Sequence, residues 1–91
     1  MLYMYDILPY TLQQAKKLNV KVLSSKNPKF KIDVYDEKGK FLFSGGDPNY
    51  SDYPHYIISK GKSYANERRR LYHLRHKDET IRGRMIKALL W

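Results

Sequence analysis

The chain has 91 residues, with 18 Lys+Arg against 9 Asp+Glu, nine Tyr, three Phe and one Trp, a size that bounds it to one small domain with a limited core. With no cysteine, disulfides and thiolate-metal clusters are excluded within it, and packing or a neighbour must hold the fold. Met1-Leu-Tyr-Met-Tyr-Asp6 lacks a basic signal region and no stretch reaches membrane-spanning length, so a soluble intracellular product is expected.

Residues 1–28 read as a helix followed by a strand. Thr11 is a candidate N-cap for a helix from Leu12 to Leu18 with Leu12, Ala15 and Leu18 on one strip, ended by Asn19. Val20 to Ser24 has strand character, and Ser24 to Pro28 carries turn residues. From 29 to 44 the pattern is a hairpin: Phe30, Ile32 and Val34 alternate with Lys29, Lys31, Asp33 and Tyr35. Asp36-Glu-Lys-Gly39 supplies the turn and Lys40 to Ser44 returns as its partner.

Gly45-Gly-Asp-Pro-Asn49 reads as a loop into the helical region, residues 51–91. Ser51 or Asp52 can cap a helix that takes Pro54 in its first turn and ends at Gly61. A basic helix capped by Ser63 follows, then Lys77 to Thr80, then a last segment with Ile81, Met85, Ala88 and Leu89 on one side and a start weakened by Gly83. The expected architecture is α+β: a small antiparallel sheet with two to three helices on one face besides the N-terminal one. Its predicted core is Ile32, Val34, Phe41, Phe43, Ile57, Tyr64, Leu71, Tyr72, Leu74 and Leu89.

Charge concentrates at one end. Residues 1–58 hold eight Lys and six acids, net +2, while residues 59–91 hold ten Lys+Arg and three acids, net +7. Most of that surplus lies in Lys60 to Lys77. At about 100° per residue Arg68, Arg69 and Arg70 point three ways, while Tyr64, Ala65, Arg68, Leu71, Tyr72 and Arg75 follow one stripe. One arginine stem therefore lies along the buried side. Two readings stand: a half-buried helix whose arginines snorkel or pair with carboxylates, or a cationic face that docks on phosphates or an acidic protein. Glu67 and Asn66 interrupt the charge, and the Leu71/Tyr72 stripe favours a helix already packed.

Catalytic patterns are weak. His73 and His76, with Asp78, have a spacing that can place ligands near one metal, but Arg70 and Arg75 repel a cation and cysteine is absent. Tyrosines beside arginines suggest a covalent nucleophile, yet such neighbours abound here by chance. Gly45-Gly46 lacks the spacing of a phosphate loop. No enzyme activity, cofactor, metal or small-molecule substrate is expected.

Asn49-Tyr-Ser-Asp-Tyr-Pro-His-Tyr56, the run Lys60-Gly-Lys-Ser-Tyr-Ala-Asn-Glu-Arg-Arg-Arg-Leu-Tyr-His-Leu-Arg-His-Lys77 and the closing Leu89-Leu-Trp91 resemble a family of small proteins of large double-stranded DNA viruses of the chlorovirus and mimivirus kind. The resemblance covers Phe30 to Trp91. It departs from that family over Ile81 to Ala88, where a Gly-Tyr-Tyr-Ala-Asp-Lys type of ending is absent, and residues 1–28 lie outside it. It implies a viral product without assigned enzyme activity, located in the virion and in host cytoplasm or nucleus during infection. The expected function is a minor capsid or virion-associated structural protein joining capsid subunits or other virion proteins; the alternative is nonspecific binding of DNA or RNA by the helix over 63–76.

The candidate contact residues for either partner are Lys60, Lys62, Arg68, Arg69, Arg70, Arg75, His76 and Lys77, with Tyr50, Tyr53 and Trp91 as aromatic contacts. Tyr3, Tyr5 and Tyr10 also look exposed. Ala88-Leu-Leu-Trp91 places four apolar residues in a row, so Trp91 is expected to be anchored, by Arg68 or Arg75 stacked on its indole or in a partner's pocket.

Overall fold

Proline at a helix start gives up only an amide that the first turn leaves unpaired, and Pro9 opens α1, Pro9–Lys17, with Leu8 as N-cap. The computed structural model describes residues 4–77 and 80–91. Asn19 adopts φ 57° just past α1, the left-handed residue that ends helices and that asparagine tolerates. Then come β1 (Lys21–Ser24), β2 (Ile32–Tyr35) and β3 (Phe41–Gly45), an antiparallel sheet in the order β1-β2-β3. Val22 faces Val34 and Ser24 faces Ile32, Val34 then faces Phe43, and a register shift at Val34/Tyr35 brings Tyr35 opposite Phe41. In the hairpin turn Gly39 takes φ 87°, while Asp36 Oδ1 accepts from the amides of Lys38 and Lys40 at 2.9 and 2.8 Å.

Three helices complete the α+β fold: α2 (Tyr53–Lys60), α3 (Lys62–Arg75) and α4 (Ile81–Leu90). Asp52 caps α2 by accepting from the His55 amide, and Thr80 caps α4 by accepting from Gly83 N at 3.1 Å. Tyr5, Ala15, Val22, Ile32, Val34, Ile86, Leu89 and Leu90 form the buried core. It lies between one face of the sheet and the helices α1 and α4, which touch β1 and β3 respectively and also each other. The α2–α3 hairpin leans on this layer mainly through aromatic rings.

The structure corrects several expectations. Thr11 does not cap its own helix: it is fully buried inside α1, and its hydroxyl donates to Leu89 O at 2.9 Å, satisfying a carbonyl that the last turn of α4 leaves open. Leu12 turns outward, and Thr11 and Ala15 carry the buried face. Ser63 is not a cap either, because α3 begins at Lys62 directly after Gly61, which takes φ 90°. Phe41, Tyr64 and Leu74 are exposed rather than core. Phe41 packs edge-on against Tyr35, and on α3 burial falls on Ala65, with Arg68, Arg69, Leu71 and Tyr72 half-buried. On α4 the buried residues are Ile86, Leu89 and Leu90, while Ile81 faces solvent.

Gly45 and Gly46 are more than a turn. A methyl on Gly45 would lie 2.2 Å from Ile86 Cδ1, and one on Gly46, itself at φ +85°, would lie 3.0 Å from both Leu90 Cδ1 and Lys31 Cβ. Both carbonyls accept from Lys31 N, at 3.1 and 3.0 Å. The absence of side chains lets α4 close onto the end of β3. Gly45→Ala should therefore destabilise the fold by about 1–3 kcal/mol through overpacking, measured by urea titration. Gly39→Asn, at a turn with nothing within 4 Å of the added atom, should cost less.

Candidate functional site

Two polar assemblies are built on this scaffold, one sealed inside and one open. The sealed one centres on Asp52, whose side chain is fully buried. Its Oδ2 accepts from Lys31 Nζ at 3.0 Å and from the Tyr5 hydroxyl at 2.5 Å. Its Oδ1 lies 2.8 Å from His55 Nδ1 and 3.2 Å from the His55 amide. Lys31, Tyr5 and Asp52 are all buried, and the lysine ammonium also lies 5.5 Å from the centre of the Tyr5 ring. Burial alone pushes the carboxyl up, but Lys31's charge and the hydrogen bonds from Tyr5, His55 and Lys31 outweigh it, and Asp52 titrates below the ordinary carboxylate range.

Lys31 was expected on the solvent side of an alternating strand. Its inward course follows from its position: β2 begins only at Ile32, and Lys31 sits in the preceding bend, where strand alternation does not apply. Tyr5, expected at the surface, is buried with it. Tyr3 and Asp78 lie outside the described residues.

The open assembly is a cleft of about 480 Å³ between α3, α4 and the β3–α2 loop. Arg68, Arg75 and His76 approach it from α3, and Arg82 and Lys87 from α4; Tyr56, Tyr72 and Trp91 form an aromatic wall. Lys31 reaches its floor, with the ammonium held by Asp52. Trp91 stacks on Tyr72 with ring centres 4.3 Å apart and planes 7° apart, and Tyr72 stacks on His76 at 3.9 Å and 13°. Trp91 is thus anchored on its own basic helix as one alternative expected, but by a tyrosine instead of an arginine. The carbonyl of Trp91 lies 3.2 Å from His73 Nε2, adding a polar tie between the same helices.

The three consecutive arginines separate. Arg68 lies over the Tyr56 ring, 5.8 Å from its centre, Arg69 over Tyr53 at 4.6 Å, and Arg70 is paired with Glu67 through two bonds of 3.1 and 2.6 Å. The Arg70 bond holds Glu67 below its usual range, and Glu67 in turn raises Arg70. Tyr53, expected as an exposed contact, is only 6% exposed. As the first residue of α2 it turns back onto Tyr10 and donates from its hydroxyl to Asn66 Oδ1 at 3.1 Å. Burial raises the Tyr10 phenol, against the pull of Arg69.

Of the expected contact residues, the cleft therefore gathers Arg68, Arg75, His76, Tyr50 and Trp91. Lys60, Lys62 and Lys77 remain exposed elsewhere along the α2–α3 hairpin and its end, and Arg69 and Arg70 point away. Arg82 and Lys87 were not singled out from the sequence, although their spacing of five on the last segment places them in the basic C-terminal third. No protein-family model, curated protein or solved structure matches the chain.

Asp52→Asn should destabilise the protein by about 3–5 kcal/mol at neutral pH, because it leaves the Lys31 ammonium buried without its counter-charge. Since the folded carboxyl titrates below its unfolded value, the pair's contribution is complete above about pH 4 to 5 and disappears as pH falls through the folded pKa. Urea midpoints of wild type and variant should converge on acidification; a constant gap down to pH 2 would contradict this assignment.

Proposed function

We propose that the protein binds nucleic acid nonspecifically through the cationic side of its C-terminal helices. The observation that carries this reading is the pattern of charge pairing. Among the described residues Lys31 pairs with Asp52 and Arg70 with Glu67. Lys60, Lys62, Arg75 and Lys77 remain exposed with no carboxylate partner among them. They flank a 14-residue helix, about 21 Å long at 1.5 Å per residue, comparable with the rise of about six nucleotides of one strand. Exposed cations thus stand at both ends of α3, Lys60 and Lys62 at one and Arg75 and Lys77 at the other, and cations of this kind pair with backbone phosphates and contribute through release of their counterions.

A second reading, assembly into a virus particle as a minor capsid or virion-associated protein, draws on a different surface. Leu23, Phe41 and Leu42 of the sheet are 59%, 52% and 41% exposed. A larger protein subunit could cover them, as at the apolar centre of a protein interface.

The two readings separate experimentally. Four phosphate contacts predict a log affinity against log salt slope of about −3.6 on duplex and about −2.8 on single strands. Lys60→Ala with Lys62→Ala should reduce that slope by about 2 on duplex, whereas Arg70→Ala, already satisfied by Glu67, should change it little. Absence of binding to DNA and RNA at low salt would end the first reading. For the second, Leu23→Lys with Phe41→Lys should remove the protein from purified particles while leaving nucleic-acid affinity in place.

A further inference from the structure

We propose that the outer face of the sheet is a self-association surface, on which a second copy of this chain packs face to face about a two-fold axis. The register places its members. Val22, Val34 and Phe43 are cross-strand neighbours and belong to the inner side, where Val22 and Val34 are buried and Phe43 packs on the core. Alternation along each strand therefore turns two rows outward: Leu23, Asp33 and Ser44 form one, Lys21, Tyr35 and Phe41 the other. Leu23 and Phe41 are exposed and Tyr35 is half-buried, meeting Phe41 edge-on with ring centres 5.7 Å apart. Leu42, the unpaired residue at the register shift, adds exposed apolar surface beside them.

Charge selects the occupant. The three strands contain two charged residues, Lys21 and Asp33, one of each sign. They are not paired within one copy: Asp33 accepts from the Ser44 hydroxyl at 2.5 Å, and Lys21 has no ion-pair partner among the described residues. A face with one charge of each sign is complementary to itself, because a two-fold operation can bring Lys21 of each copy to Asp33 of the other and so make the pair twice. A phosphate backbone finds no net charge in these strands. Two copies of a chain of net charge +9 repel one another through their basic helical sides, whereas across the sheet the facing strands are neutral and charges beyond about 8–10 Å are largely screened at physiological salt.

The area sets the strength. Three strands about 4.8 Å apart and up to five residues long at about 3.3 Å each present a face of about 14 by 16 Å, below the roughly 800 Å² per partner of a standard interface. The dimer is therefore weak and concentration-dependent, with Leu23, Tyr35 and Phe41 of both copies at its apolar centre and the two Lys21–Asp33 pairs at its rim. It turns the two helical layers away from each other. On the nucleic-acid reading such a dimer joins two strands; that extension rests on the reading above, while the dimer itself does not.

Sedimentation of the free full-length chain decides the matter. Its weight-average mass should rise toward twice the monomer value between about 10 µM and about 1 mM. Leu23→Lys with Phe41→Lys, both at exposed positions, should hold it monomeric across that range. Lys21→Glu and Asp33→Lys, each alone, should weaken dimerisation severalfold by placing like charges opposite, and the two together should restore it. Lys60→Ala with Lys62→Ala should leave the dimer unchanged while weakening nucleic acid, so the two readings fail separately. Wild type should draw two labelled duplexes together, and the Leu23→Lys, Phe41→Lys variant should bind each without joining them. A chain that stays monomeric throughout, a dimer insensitive to Leu23→Lys with Phe41→Lys, or a double charge variant no better than its singles overturns the proposal. A monomer that those same two substitutions remove from purified particles overturns it too, and gives the face to a larger subunit.

Discussion

The buried carboxylate of Asp52 is the interaction on which the rest of the arrangement depends, because it ties three distant segments to one point. Tyr5 comes from the N-terminal segment, Lys31 from the bend before β2, and His55 from the first turn of α2. In a chain without cysteine such a knot takes the place that a covalent cross-link has in other small domains. A buried ion pair contributes little net stability on average, since desolvation offsets the attraction. Its effect here is specificity: a displaced α2 would leave a lysine and a carboxylate buried apart, which is far more costly than either pair member in place. The same residue also caps α2, so the helix start and the long-range tie cannot be altered independently.

From that point the position of the cleft follows. Asp52 holds the start of α2, Gly61 permits an abrupt reversal at φ 90°, and α3 returns alongside α2 through Tyr56, Tyr64 and Arg68. On the other side, Gly45 and Gly46 admit α4 against the sheet, and Thr11 meets the last turn of α4. The Trp91–Tyr72 stack then joins the two helical arms. The cleft is the space left between α3 and α4 when each is fixed by a different part of the fold.

Much of this was legible locally and little of it at long range. Asp52-Tyr-Pro54 announces a capped helix because capping is a matter of three or four residues, and Asn19, Gly39 and Gly61 mark ends and turns through their tolerance of positive φ. The alternation of Ile32 and Val34 identified the two central sheet residues. Lys31 and Tyr5 were not recoverable, since burial of a lysine depends on a carboxylate 21 positions away and no local pattern encodes that separation. Thr11 shows the same limit: a hydroxyl at a helix start signals a cap, but here it serves the end of another helix 78 positions on. The divergence of Arg68, Arg69 and Arg70 was readable from helical geometry, whereas the identity of the ring beneath each was not. Arg82 and Lys87 gain meaning only when α4 is placed opposite α3.

The half-buried basic helix and the ligand-binding basic helix, which stand as alternatives in the sequence, are compatible in the folded protein. An arginine in water loses rotamer freedom when it grips an anion, and that loss weakens binding. Arg68 has already lost much of it, because its stem lies in the α3 packing face and its head rests on Tyr56. Lys31 is neutralised by Asp52 beneath the floor, so the positive charge of the cleft lies on its walls, where Arg68 is held by the Tyr56 ring and Arg82 by the Ser44 carbonyl. Packing the arginine stem is therefore what preorganises the guanidinium.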